Sequence, residues 1–214
     1  MIEAFIFDMD GVIIDSEPLH FESDKIIMKD FGVEITDEEL TNYVGVTNGH
    51  MWSELKEKYN LKASLDELLE KQRWHKKQLF TDRELQPVKG INELLLDLKE
   101  KDISTGLASS SARDFIELIL QKLNIRDYFT AIISGEEVKN SKPAPDIFLK
   151  TADHLNAVPG NCVVLEDSEH GVKAAKSAGM KCIAYKNPNS GRQDLSTADK
   201  IVTTLENLNY QELF

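Results

Sequence analysis

At 214 residues the chain has room for one ample domain, or for a domain with a small insert, and its 41% apolar and 29% charged residues are those of an ordinary globular protein. The formal net charge of −12 opposes nucleic acid and anionic membranes, whose recognition needs a basic stripe that the sequence does not offer. An anionic ligand must therefore be drawn in locally, by a metal ion or by a few placed cations.

The first element is a short apolar run, Ile2 to Ile6, read as a buried strand. Glu3 and Asp8 lie in and just behind it and there is no basic region, so it does not read as a secretion signal. No apolar stretch approaches the roughly 18–20 residues that a membrane span requires. The run leads into FDMDGV at 7–12. Side chains alternate with period two along a strand, so Asp8 and Asp10 point the same way. Two such anions repel unless a cation or a shared proton joins them. Gly11 behind them lets the backbone turn sharply. Taken alone, the segment could equally be a strand end decorated with turn residues.

Residues 15 to 83 show only helical patterns, over 19–31, 37–43, 48–59 and 65–80. A helical block inserted here reads as a small cap over the loop edge of a sheet. From residue 88 onward helix and strand alternate. A stripe of Ile91, Leu94, Leu95 and Leu98 precedes a strand over 103–108. The stripe Phe115, Ile116, Ile119, Leu120 and Leu123 precedes a strand over 131–133. A helix over 144–155 leads to a strand over 162–165, and a helix over 170–178, closed by Gly179, leads to a strand over 182–185. Ile201 and Val202 suggest a last short strand before a C-terminal helix. The expected class is α/β, a parallel sheet with helices on both faces. Cys162 and Cys182 fall in or beside strands and read as small core side chains of a reduced, cytoplasmic protein.

In parallel sheets, chemistry gathers beyond the carboxyl ends of the strands. Ser109, Ser110 and Ser111 follow one strand and precede a helix, where hydroxyls and free N–H groups suit either an anion or plain N-capping. Lys142 follows the next strand, ahead of Pro143 and Pro145, which stiffen the backbone and start a helix. Glu166 and Asp167 directly follow Val163-Val164-Leu165. Each cluster alone has an ordinary explanation as a cap, a turn or a solvated charge. Together they place acids, hydroxyls and one cation after four strands.

FDMDGV (7–12), LASSS (107–111), NSKPAPDIF (140–148) and LEDSEHGVKAAKSAG (165–179) resemble the four ordered motifs of the haloacid dehalogenase superfamily, and its β-phosphoglucomutase-like branch, which also holds sugar-phosphate phosphatases. The resemblance spans nearly the whole chain. It implies a Rossmann-like core over 1–14 and 83–214, and a helical cap over 15–82 hinged near residues 15 and 82. It assigns Asp8 as the nucleophile that becomes an aspartyl phosphate and Asp10 as the general acid and base. Ser109, Ser110 and Lys142 hold the phosphoryl oxygens. The Asp8 carboxylate, the Asp10 main-chain carbonyl, Glu166 and Asp167 hold Mg2+.

Within that branch the acceptor is water or a sugar hydroxyl. In the mutases a cap arginine and a cap lysine grip a second phosphate. The matching positions here are Asn48 and about His75, neither of which carries a fixed charge; Arg73, Lys76 or Lys77 could stand in for the second. His20 matches a hinge histidine of the mutases, whereas Asp15-Ser16-Glu17-Pro18-Leu19 is closer to the phosphatases. The expectation is an Mg2+-dependent phosphatase of small phosphorylated sugars or related metabolites, acting as a monomer. A hexose-phosphate mutase ranks second, and a non-catalytic phospho-acceptor domain is the alternative from another class. Trp52 and Trp74 read as packing residues of the cap, and Arg113, close behind the serines, could help draw in anions.

Overall fold

The computed structural model describes residues 2–44 and 46–210. Contacts divide the chain into two compact units: residues up to Asp15 with those from Leu85 onward, and Ser16–Glu84.

The first unit holds six strands: β1 (Ala4–Phe7), β2 (Ser104–Ser109), β3 (Ala131–Ser134), β4 (Cys162–Glu166), β5 (Lys181–Tyr185) and β6 (Lys200–Val202). All pair in parallel, in the order β3-β2-β1-β4-β5-β6. Every residue of β1, β3 and β4 is buried, as expected for strands covered on both faces. On one face Ala4, Ile6, Ile133 and Val164 pack with Phe148, Ala152, Val172 and Ala175. Those helical residues come from the helices Asp146–His154 and Glu169–Ser177. On the other face Phe5 meets Tyr210 and Phe7 meets Phe129, both edge-on. Period two along β1 thus feeds two different cores. Cys162 and Cys182 are buried and unpaired, as small core side chains.

The second unit consists of α1 (Glu17–Asp30), α2 (Asp37–Leu40), α3 (Asn48–Tyr59) and α4 (Leu65–Asp82). Pro18 sits in the first turn of α1, where its missing N–H costs nothing. A reciprocal pair starts α4, Glu67 N–H to Ser64 Oγ at 3.1 Å and Ser64 N–H to Glu67 Oε2 at 2.7 Å. Asn60 ends α3 in the left-handed conformation, φ 51°. Ile27, Met28, Trp52, Leu55 and Leu68 form the unit's own core. Trp52 is fully buried there. Trp74 is 60% exposed, so the expectation that it packs is corrected: it lies off the buried face that Leu68, Gln72 and Phe80 define on α4.

Helices α5 (Ile91–Glu100), α6 (Arg113–Lys122), α7 (Asp146–His154) and α8 (Glu169–Ser177) complete the first unit. The α7 helix begins at Asp146 rather than at 144, behind Pro145. The expected C-terminal helix does not form among described residues 203–210; residues 211–214 lie outside the description. The segment is rich in threonine and asparagine, with Asn207 at φ 56°, and Leu205 and Tyr210 are buried instead. Gly90, at φ +96°, has the Leu205 backbone where its Cβ would stand. No described helix is long and apolar enough to cross a membrane.

Candidate active site

The strand order reverses between β1 and β4, and in such sheets ligands bind beyond the carboxyl ends at that point. Phe7 pairs with Leu165, so the residues that follow them, Asp8 just past β1 and Glu166 at the end of β4, emerge side by side. Asp8 N–H reaches the Leu165 carbonyl at 2.9 Å and holds the pair in register.

Lys142, from the segment between β3 and α7, sits among the acids. Its ammonium donates to Asp8 Oδ1 at 2.5 Å, to Glu166 Oε1 at 2.7 Å and to the Ala108 carbonyl at 3.2 Å. That uses all three of its donors. The Phe148 ring centroid lies 5.0 Å from the ammonium and closes one side. The Lys142–Pro143 bond is cis.

Glu166 is fully buried and both of its oxygens are engaged. Oε2 accepts from Asp167 N–H, Ser168 N–H and Ser168 Oγ, each at 2.9 Å. This close seat requires Gly171: a Cβ there would stand 1.7 Å from Glu166 Oε1. Asp167 is buried beside Gly11, where a Cβ would stand 2.0 Å from its Oδ2. Asp8, Glu166 and Asp167 each offer an oxygen within 4.8 Å of the others.

Three buried carboxylates face one ammonium. Burial, reinforced by the Glu166 and Asp10 charges, pushes the Asp8 carboxyl up to about 8 against the opposing pull of Lys142. Burial, then Glu166 and Asp8, raises Asp167 well above the ordinary aspartate value. Burial works against the Lys142 charge, but Asp8 and Glu166 outweigh it and hold that ammonium above the usual lysine value. This surplus of negative charge on hard oxygen donors fits a divalent cation of the Mg2+ type.

Asp10 is half-buried, and its Oδ2 accepts from Ser111 Oγ at 2.9 Å. Ser109 is buried at the end of β2 and its Oγ accepts from Ser111 N–H at 3.1 Å. Ser134 Oγ in turn donates to the Ser111 carbonyl at 2.7 Å. Ser110 is exposed, and the small Gly135 lies against its backbone. Asp8, Asp10, Ser109, Lys142, Glu166 and Asp167 thus all lie at the ends of β1, β2 and β4 or in the segments that follow these strands and β3. Arg113 is engaged elsewhere, on the Ile132 carbonyl, Glu117 and Glu137.

The three cap candidates belong to the helical unit and come from three different helices. His20 on α1 packs its ring on Phe80. Asn48 is exposed in the first turn of α3. His75 meets Trp74 edge-on. Groups do converge on Asp24: Gln72 Nε2 donates to buried Asp24 Oδ1 at 2.7 Å, and the charges of Lys76 and of the candidate His20 act on that carboxylate. Gln72 and Lys76, one turn apart on α4, share this face.

One polar cluster escapes the sequence reading. After β5, Asn187 Nδ2 donates to the Gly11 carbonyl at 2.9 Å and Ser190 Oγ donates to Asp167 Oδ2. The rule that singled out the other clusters, polar residues directly after an apolar strand, applies equally to Asn187-Pro188-Asn189-Ser190.

The profile of the haloacid dehalogenase-like hydrolase family matches residues 5–185. A phosphorylated carbohydrates phosphatase of Thermotoga maritima is 38% identical over 183 residues, which cover 85% of this chain and 84% of the relative. Hexitol phosphatase B of Escherichia coli K12 is 35% identical over 192 residues, 87% of this chain and 85% of that one. The crystal structure of β-phosphoglucomutase from Clostridium difficile has a TM-score of 0.81 at 31% identity, covering 100% of this chain and 96% of the other. With its motifs, its sheet and these relatives in agreement over most of its length, the chain belongs to the haloacid dehalogenase-like hydrolases.

Proposed function

We propose that the protein is an Mg2+-dependent phosphatase of small phosphorylated sugars, working through an aspartyl phosphate on Asp8. The observation that carries the reading is the buried set of Asp8, Glu166 and Asp167 around Lys142, at the point where the sheet reverses its strand order. Relatives named as phosphatases of phosphorylated carbohydrates and of hexitols support both an enzyme acting on phosphoesters and this substrate class.

Asp8, Asp167 and the main-chain carbonyl of Asp10 would hold the ion. Glu166, with both oxygens already engaged, adds charge and seats Lys142. When bound, the ion supplies positive charge against the phosphoryl oxygens and the attacking carboxylate. A carboxylate oxygen of Asp8 attacks phosphorus while the ester oxygen leaves, taking a proton from the Asp10 carboxyl. Lys142 faces the charge that gathers on the equatorial oxygens. Water then gives a proton to the Asp10 carboxylate and attacks the aspartyl phosphate, freeing orthophosphate and restoring Asp8. Ser111 keeps Asp10 oriented between these two proton transfers. By its place in the chain, inserted between β1 and α5, the helical unit takes the part of the substrate-selecting cap.

A mutase is the second reading, favoured by the likeness to β-phosphoglucomutase along the full chain. A panel of phosphorylated metabolites, followed for both phosphate release and isomer conversion, separates the two. Phosphate release that needs Mg2+, stops with a chelator and requires no added bisphosphate is the expected result. Clean isomer conversion that depends on a sugar bisphosphate would overturn the phosphatase reading.

A further inference from the structure

We propose that the loop at 187–190, after β5, is a positioning element for the metal-binding carboxylate Asp167, and that the Ser190 hydroxyl is its working group. The inference rests on the reading above that Asp167 holds the ion. Ser190 and Asp167 are both buried, at 8% and 6% exposure, and the hydroxyl donates to Asp167 Oδ2. A carboxylate held at one oxygen keeps one orientation, and such outer partners of metal ligands are typically worth about 10- to 100-fold in metal affinity.

The loop is itself tied down at every turn. Gln193 Nε2 donates to the Ser190 carbonyl at 2.9 Å. Asn189 N–H donates to Asn187 Oδ1 at 2.8 Å, and Asn189 Nδ2 to Asp15 Oδ2 at 2.6 Å. Asn187 Nδ2 reaches the Gly11 carbonyl, one residue past the Asp10 carbonyl assigned to the ion. The Asn187 and Asn189 side-chain bonds run to the segment after β1 while Ser190 grips the residue after β4, so the loop fixes the relative placement of the two segments that supply ligands. A loop needed only to cover apolar surface would have no use for amide and hydroxyl groups aimed at these atoms.

The test is calorimetric titration of Mg2+ into the chelator-treated full chain without substrate, for wild type, Ser190→Ala, Ser190→Thr and Asp167→Asn. Melting in chelator establishes that each variant is folded. The expected result is a 10- to 100-fold weaker Kd for Ser190→Ala, near wild-type binding for Ser190→Thr, and no measurable binding for Asp167→Asn. If Ser190→Ala lowers the melting temperature but binds Mg2+ like wild type, while Asp167→Asn does not bind, the positioning role is overturned and the metal assignment stands. A Ser190→Thr variant as weak as Ser190→Ala would also overturn it, because the hydroxyl would then not be the working group. Wild-type binding by Asp167→Asn would overturn the metal assignment and the loop's role with it.

Discussion

Lys142 places all three ammonium protons inside the site, and removing it leaves Asp8 and Glu166 buried without that counter-charge. Breaking a buried pair from one side costs about 3–5 kcal/mol. Loss of one preorganised charge on the transition state costs on the order of 10²–10³ in rate. Lys142→Met should therefore lower the melting temperature in chelator, recover part of it on adding Mg2+, and lose that much kcat; unchanged melting and turnover would contradict its place in the site. Gly171 offers a sharper probe. A Cβ there would stand 1.7 Å from Glu166 Oε1, so Gly171→Ala must displace the carboxylate that seats Lys142. We expect a loss of about 1–3 kcal/mol in stability from the overpacking and at least a tenfold drop in kcat. Gly160→Ala, where nothing lies within 4 Å of the added Cβ, is the control and should change neither. That acids, hydroxyls and one lysine gather after the strands was legible from the polar clusters behind the apolar runs; which of them meet was legible only through the resemblance of the four motifs. Gly171 was not, because a glycine inside a helix declares its cost and not the side chain it makes room for.

Within the helical unit, α1 and α4 are joined by a buried polar contact, Asp24 to Gln72. Burial raises the Asp24 carboxyl above the ordinary aspartate value, while Lys76, the Gln72 bond and His20 oppose the rise. A raised native value means the folded state holds its proton longer than the unfolded chain. Stability from this group is therefore highest below about pH 4, near the unfolded value, and falls as pH rises through the native one. Asp24→Asn should flatten the decline in melting temperature on going from acid to neutral pH; an unaltered pH dependence would show that Asp24 does not carry it. At this scale apolar periodicity located α3 and α4 well, and capping residues such as Ser64, Glu67 and Asn60 show why. It misjudged Trp74, because an aromatic at helical spacing says nothing about which arc of the helix is covered. It also misjudged the described residues 203–210, where Leu205 and Tyr210 anchor a stretch too rich in threonine and asparagine to coil.

Across the whole molecule, alternating elements announced a parallel sheet, and strands buried on both faces are its direct consequence. The order of the strands was not legible, since no local pattern says that β4 lies beside β1. Yet that adjacency brings Glu166 and Asp167, from far along the chain, to Asp8. A net charge of −12 around a site built for a phosphate ester makes the local cations decisive. The central claim is that Asp8 carries the phosphoryl group, and rapid acid quenching during turnover with a phosphorylated sugar and Mg2+, followed by peptide mass analysis, tests it directly. The account predicts a phosphorylated peptide whose modified residue is Asp8, absent from Asp8→Asn, which should also be inactive. Steady turnover with no covalent phosphate on Asp8, or with the phosphate on another residue, would contradict it.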